Sequence, residues 1–208
     1  MRDNKIMNYK RSALMQERLR QNREAILQAA KQLISQGGIK DAQIQAIADL
    51  AGVSNGLVYR YFDNKNHIII EVLSEAIMRE IDILKQIAGQ EGLAQDKLHK
   101  AVRVFVKRAL NSPKLAYSLM LEPADAAVEE ARFKSKQIVK EAIEHILKEG
   151  QAQAVFEFED VGVTAQCIVG AMTFAVIEPL SLNPQAMNKE VFSTQVADFC
   201  LKAVNQGK

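Results

Sequence analysis

The chain has 208 residues, 48% of them hydrophobic, with only 4 Pro and 10 Gly, and its 27 Lys and Arg nearly balance 25 Asp and Glu. Such a composition supports one or two packed domains and excludes wholesale disorder or a collagen-like chain. The balance hides an asymmetry: residues 1–70 carry eleven basic against six acidic side chains, and the remainder is mildly acidic, so a polyanion partner is considered for the basic head.

In chain order, residues 1–18 form a basic arm carrying Lys5, Lys10 and Arg11. Leu19, Ile26, Ala30, Leu33 and Ile34 then follow the rhythm of an amphipathic helix that Gly37-Gly38 stops. Ile44, Ile47 and Leu50 predict a short second helix, Ala51-Gly52-Val53 a tight turn, and Ser54 the N-cap of a third helix carrying Val58, Tyr61 and Phe62. Asp63-Asn64 is a second stop-and-cap signal before a helix of about six turns, residues 64–88, with Ile68, Val72, Leu73, Ile81 and Leu84 on one face.

Beyond Gly89 and Gly92, Leu98, Val102, Phe105 and Val106 mark a fifth helix, and Ser112-Pro113 opens a short sixth. A seventh covers Ala124 to Gly150, followed by a loop over Phe156 to Asp160. Val161 to Ile177 is apolar nearly all round, which predicts an eighth helix buried on most faces. Pro179 and Pro184 bracket a break before a last helix with Val191, Val196, Phe199 and Cys200. The expected fold is all-α with about nine helices: a three-helix head over residues 19–63 and a larger body over 64–208. The apolar run from Val161 to Leu180 is interrupted by Thr164, Gln166 and Glu178, and the opening MRDNKIMNYKRS lacks an apolar core, so neither a membrane span nor a secretory signal is expected. Cys167 and Cys200 read as buried small hydrophobes in a reducing cytoplasm.

Two short helices joined by a glycine turn in a basic three-helix unit outline a helix-turn-helix, whose second helix can enter the major groove, about 12 Å wide. The run GGIKDAQIQAIADLAGVSNGLVYRYFDNKNHI resembles the DNA-binding head of the TetR (tetracycline repressor) family of one-component bacterial regulators, through Gly38, Ile47-Ala48, Ala51-Gly52-Val53-Ser54, Gly56, Tyr59, Tyr61-Phe62 and Lys65. By that resemblance Ser54, Asn55, Gly56, Leu57, Tyr59, Arg60, Tyr61 and Lys65 fall where the family touches DNA. Three departures stand out. Ala42-Gln43 replaces two common threonines, leaving Gln43 to substitute for a hydroxyl cap and phosphate donor; Asn55 replaces a lysine; Leu57 replaces a small or polar residue. Val58 and Phe62 read as core, and Gly52 as a turn glycine with positive φ.

The resemblance further implies a homodimeric repressor, a ligand cavity in the body, and release from a (pseudo)palindromic double-stranded operator when a small molecule binds. Phe105, Tyr117, Met120, Cys167, Met172, Phe174 and Glu178 are the candidate ligand contacts for a small, largely apolar effector. The last two helices carry enough apolar surface for an intermolecular four-helix bundle, and the long helix 64–88 is the expected lever between effector and DNA. No nucleophile-base pair, phosphate loop or cofactor motif is visible, and the row Glu141, His145, Glu149 reads as a solvated face rather than a metal site. Two other readings are a DNA-binding dimer that senses no small molecule, and a helical enzyme with an accessory DNA-targeting head.

Overall fold

The computed structural model describes the backbone of residues 2–177 and 187–205, and side chains from Leu14 onward within those ranges. The chain divides into two compact units, Met1–Val72 and Leu73–Lys208. Among the described residues there are nine α-helices and no strand beyond one isolated antiparallel bridge, Phe156 to Asn205.

The first unit contains α1 (Arg2–Gly37), a turn of 3-10 helix (Ile39–Asp41), α2 (Ile44–Ala51), α3 (Asn55–Tyr61) and the opening turns of α4 (Lys65–Ala88). Here the sequence reading needs correction: α1 starts at Arg2, not near Leu19. Apolar rhythm marks only the part of a helix that packs, whereas continuation depends on helix formers, and neither Gly nor Pro occurs between Arg2 and Gln36. Ile26, Ala30 and Ile34 of α1, Ile47 and Ala48 of α2, Val58 of α3, Phe62, and Ile68 and Val72 of α4 are all buried, with α1 packed on α2 and α3. Gly52 ends α2 in the left-handed region at φ 67°, and its N–H returns to the carbonyls of Ala48 and Asp49. A side chain with a Cβ is strained there, which accounts for glycine in the turn.

The second unit contains the rest of α4, α5 (Ala94–Asn111), α6 (Pro113–Met120), α7 (Ala126–Ala152), α8 (Val161–Phe174) and α9 (Lys189–Lys202). Its core gathers Leu98, Val102 and Val106 of α5, Ile143, Ile146 and Leu147 of α7, Ile168 and Met172 of α8, and Ala197 and Cys200 of α9. α5 is also the electrostatic spine of this unit. The almost fully buried Lys97 donates to both carboxylate oxygens of Glu149 on α7, at 2.6 and 2.8 Å. Arg108 forks onto Glu80 of α4, and His99 lies 3.1 Å from Asp198 of α9. Helix ends are closed by side chains: Asp160 accepts from the Val163 N–H and Asn188 from those of Glu190 and Val191. Gly150 makes room for the buried Phe156 ring, since a Cβ there would lie 1.9 Å from a ring carbon.

Two expectations about α8 fail. The helix is not buried on most faces: Val163, Gln166, Cys167, Gly170 and Phe174 form an exposed stripe, so Cys167 is not a buried hydrophobe although Cys200 is. An apolar composition buries a helix only if the chain itself supplies enough neighbours, and here the single chain covers one side. Glu178, Pro179 and Pro184 lie outside the described residues.

Candidate nucleic-acid interface

The helix-turn-helix is built by local signals. Gln43 stands at the N-cap of α2 without a side-chain capping bond; its amide donates instead to the Lys40 carbonyl at 2.8 Å. Ala42 beside it is fully buried. Ser54 caps α3, its hydroxyl accepting from the Leu57 N–H at 3.2 Å. Asn64 caps α4 by accepting from the His67 N–H at 3.0 Å, which leaves Lys65 in the first turn, where the helix dipole favours an anion.

The α3 side chains divide by exposure. Val58 and Phe62 point into the core, as their spacing predicts. Ser54, Gly56, Tyr59 and Arg60 are exposed, with Tyr59 at 56%, while Asn55, Leu57, Tyr61 and Lys65 are half-buried. A Cβ built on Gly56 would meet only the Ser54 hydroxyl, at 4.0 Å, so packing within the chain does not require glycine there. The Tyr61 hydroxyl and the Asn55 amide oxygen are enclosed without a hydrogen-bond partner among the described residues.

The junction of α3 with α4 is clamped around Phe62. The Arg23 guanidinium lies over its ring, 5.1 Å from the centroid, and the His67 ring meets it edge-on at 5.5 Å. Arg23 also bonds Glu71, and His67 stands 3.2 Å from that carboxylate. These contacts tie α1 and α4 to the end of α3 and fix where Lys65 starts its helix.

Sequence reasoning missed Gln45 and Asp49 on α2. The Gln45 amide donates to Asp49 at 2.7 Å and accepts from Asn55 Nδ2 at 2.6 Å, linking α2 to the first residue of α3. Their i,i+4 spacing was visible, but the partner across the turn was not.

In the body, Phe105, Met120 and Met172 meet at one core, Met172 fully buried and the other two partly, and Tyr117 is half-buried on α6. Cys167 and Phe174 stand apart from them on the exposed stripe of α8, Phe174 at 74%. Phe174 borders an apolar groove of about 480 Å³ with Ala171, Phe192, Val196 and Phe199. Glu141 and His145 rim a second groove, of about 290 Å³, floored by Ala88, Ile138 and Ala142, while Glu149 is held by Lys97. No cluster of His, Cys, Asp and Glu able to hold a metal occurs among the described residues, and no described helix is long and apolar enough to cross a membrane.

The head is also what known proteins share. The family model for "Bacterial regulatory proteins, tetR family" matches residues 26–72, which covers the packed part of α1, α2, α3 and the start of α4. Residues 26–72 thus form a head of this family, and the chain is a DNA-binding transcriptional regulator. A fatty acid metabolism regulator protein of Bacillus subtilis is 27% identical over 86% of this chain and 94% of its own length. The transcriptional repressor KstR of Mycobacterium tuberculosis is 38% identical, over 33% of this chain and 31% of its own. The crystal structure of FadR from Bacillus subtilis in complex with stearoyl-CoA superposes with a TM-score of 0.75, covering 88% of this chain and 99% of that one at 23% identity. The TetR-family fold thus extends through the body.

Proposed function

We propose that this TetR-family chain is a homodimeric repressor that leaves a palindromic operator when a long-chain acyl-CoA binds its body, and that it is not an enzyme. The observation that carries the ligand class is coverage. The KstR likenesses cover between about a third and about half of each protein, whereas the fatty acid regulator matches over 86% of this chain and 94% of its own length, across both units. Effector choice belongs to the body, so the relative that matches the body bears on the ligand. An interior of aliphatic side chains, joined by Phe105, Met120 and Met172, suits an acyl chain, whose burial gains about 0.8 kcal/mol per CH₂, and Tyr117 is half-buried on α6. Cys167, Phe174 and Glu178 complete the sequence-derived set of ligand contacts; the exposure of Cys167 and Phe174 favours assigning those two to the dimer face instead.

The dimer is assigned to α8 and α9. Val163, Phe174, Val191 and Phe199 are all at least half exposed, at 63, 74, 50 and 66%. Large apolar side chains concentrated on two neighbouring helices are what a partner covers. A second copy presenting the same face completes a four-helix bundle and supplies the second recognition helix that a single small head lacks. DNA contact is assigned to Gln43, Ser54, Asn55, Gly56, Leu57, Tyr59, Arg60, Tyr61 and Lys65, with the basic arm of residues 1–18 adding charge.

The test is an anisotropy titration of upstream operator DNA against scrambled competitor at fixed salt, repeated with saturated acyl-CoAs of graded length, free fatty acids and coenzyme A. Specific binding lost only with long-chain acyl-CoA is the expected result. Specific binding that none of these ligands alters would overturn the acyl-CoA assignment and leave a regulator that does not sense this class.

A further inference from the structure

The chain of bonds from Asp49 through Gln45 to Asn55 settles a question that the shape of an amide leaves open. A carboxamide presents an acceptor on one side and a donor on the other, nearly identical in outline, and only its partners decide which faces where. An ionised carboxylate accepts and cannot donate, so Asp49 takes the Nε2 side of Gln45, at 2.7 Å. Gln45 Oε1 is thereby turned toward α3, where it takes Asn55 Nδ2 at 2.6 Å. Asn55 is left with one Nδ2 hydrogen uncommitted and with an enclosed Oδ1 that has no partner among the described residues. Reversing both amides would set the Gln45 oxygen against the Asp49 carboxylate, so the orientation propagates from the acidic end.

We propose that Gln45, although on α2, is a specificity-determining residue that acts through Asn55 and makes it read adenine. This rests on the head binding an operator through α3. In the major groove adenine offers an amino donor at N6 and an acceptor at N7, which match an empty amide oxygen and a free amide N–H. Guanine offers two acceptors, N7 and O6, and would set O6 against Oδ1. Thymine gives an acceptor and a methyl group, and cytosine a donor alone. Oδ1 and Nδ2 turn together about the soft χ2 torsion of asparagine, so as the unpartnered Oδ1 swings toward a base the exposed Gln45 side chain follows Nδ2 and keeps its bond. Gln45 is thus a positioning residue for a base-contacting one.

The experiment selects operators from random DNA with the full-length wild type, Gln45→Met, Asn55→Ala, the double variant and Asp49→Asn, each checked by thermal melting. Gln45 and Asp49 are exposed, so their replacements keep the fold. Wild type is expected to choose adenine at one symmetric position of each half-site. Asn55→Ala and Gln45→Met should each lose that preference, by roughly tenfold or more, with other positions unchanged. The double variant should lose no more than Asn55→Ala alone, and Asp49→Asn, which can donate as well as accept, should relax the same position. Retained adenine preference in Gln45→Met, a loss at a position that does not depend on Asn55, or a wild-type choice of guanine there would overturn the proposal. A folded wild type that selects no sequence would overturn the operator-binding reading, and this proposal with it.

Discussion

Gly56 separates what folds the head from what its surface is for. It occupies the first turn of α3, and no neighbour in the chain would resist a Cβ there. Glycine is a poor helix former, so Gly56→Ala should raise the melting temperature slightly, by up to about 1 kcal/mol of stability. If α3 lies against DNA, the added methyl group enters that interface, and operator affinity should fall at least several-fold in the same variant. Calorimetry and anisotropy on one preparation check both signs; a stabilised variant with undiminished affinity would remove α3's first turn from the contact surface. Other residues were legible for simpler reasons. Ser54 and Gly52 announce a cap and a left-handed turn within three positions, and Val58 and Phe62 declare their burial by spacing. Gln45 was not legible, because its function depends on a partner ten positions away across that turn.

Helices were easier to find than their limits or their wet faces. All nine are signalled by apolar rhythm and punctuation, yet α1 continues through a polar stretch that rhythm does not mark, and composition alone cannot reveal that α8 lacks neighbours on one side. The packing of α9 on α5 includes a charged seam at its first turn, which gives this level a pH signature. Glu190 accepts from Lys107 and Arg103, and the hydrogen bond from Lys107, followed by the charges of both bases, holds its carboxyl below the usual value of 4.5. A depressed native pKa contributes stability that is present above the unfolded value and lost as pH falls through the native one. Glu190→Gln should therefore melt below wild type at pH 7, with the gap closing as pH drops beneath about 4.5 and narrowing in high salt because the pair is exposed. A gap of equal size at pH 7 and at pH 3 would assign the effect to packing rather than charge.

At the scale of the molecule, dimerisation and effector release make coupled demands. Phe174→Glu with Phe199→Glu should convert the dimer to a monomer in sedimentation, and operator binding should weaken by orders of magnitude while the head stays folded. The cysteines report on the same face. Burial pushes the Cys200 thiol up to about 11, so it stays protonated and slow to react, whereas Cys167 lies on the stripe to be covered. Thiol labelling of native protein should therefore be slow in the wild-type dimer and fast, at one site per chain, in the monomeric variant; fast labelling of a wild-type dimer would move the interface elsewhere. The proposed release by acyl-CoA faces a sterner requirement. Long-chain acyl-CoAs are amphiphiles, and a detergent-like action would also strip protein from DNA. α4 belongs to both units, with Lys65 to Val72 in one and Leu73 to Ala88 in the other, so a bound effector can bias the heads through an equilibrium between conformers. Such coupling is reciprocal: whatever factor the ligand takes from operator affinity, saturating operator must take from ligand affinity. Titrating acyl-CoA below its micellar range into free and operator-bound protein should give two dissociation constants whose ratio equals the loss of DNA affinity. Equal ligand affinities in the two titrations, with DNA still released, would show that the amphiphile acts on the protein as a detergent and not as an effector.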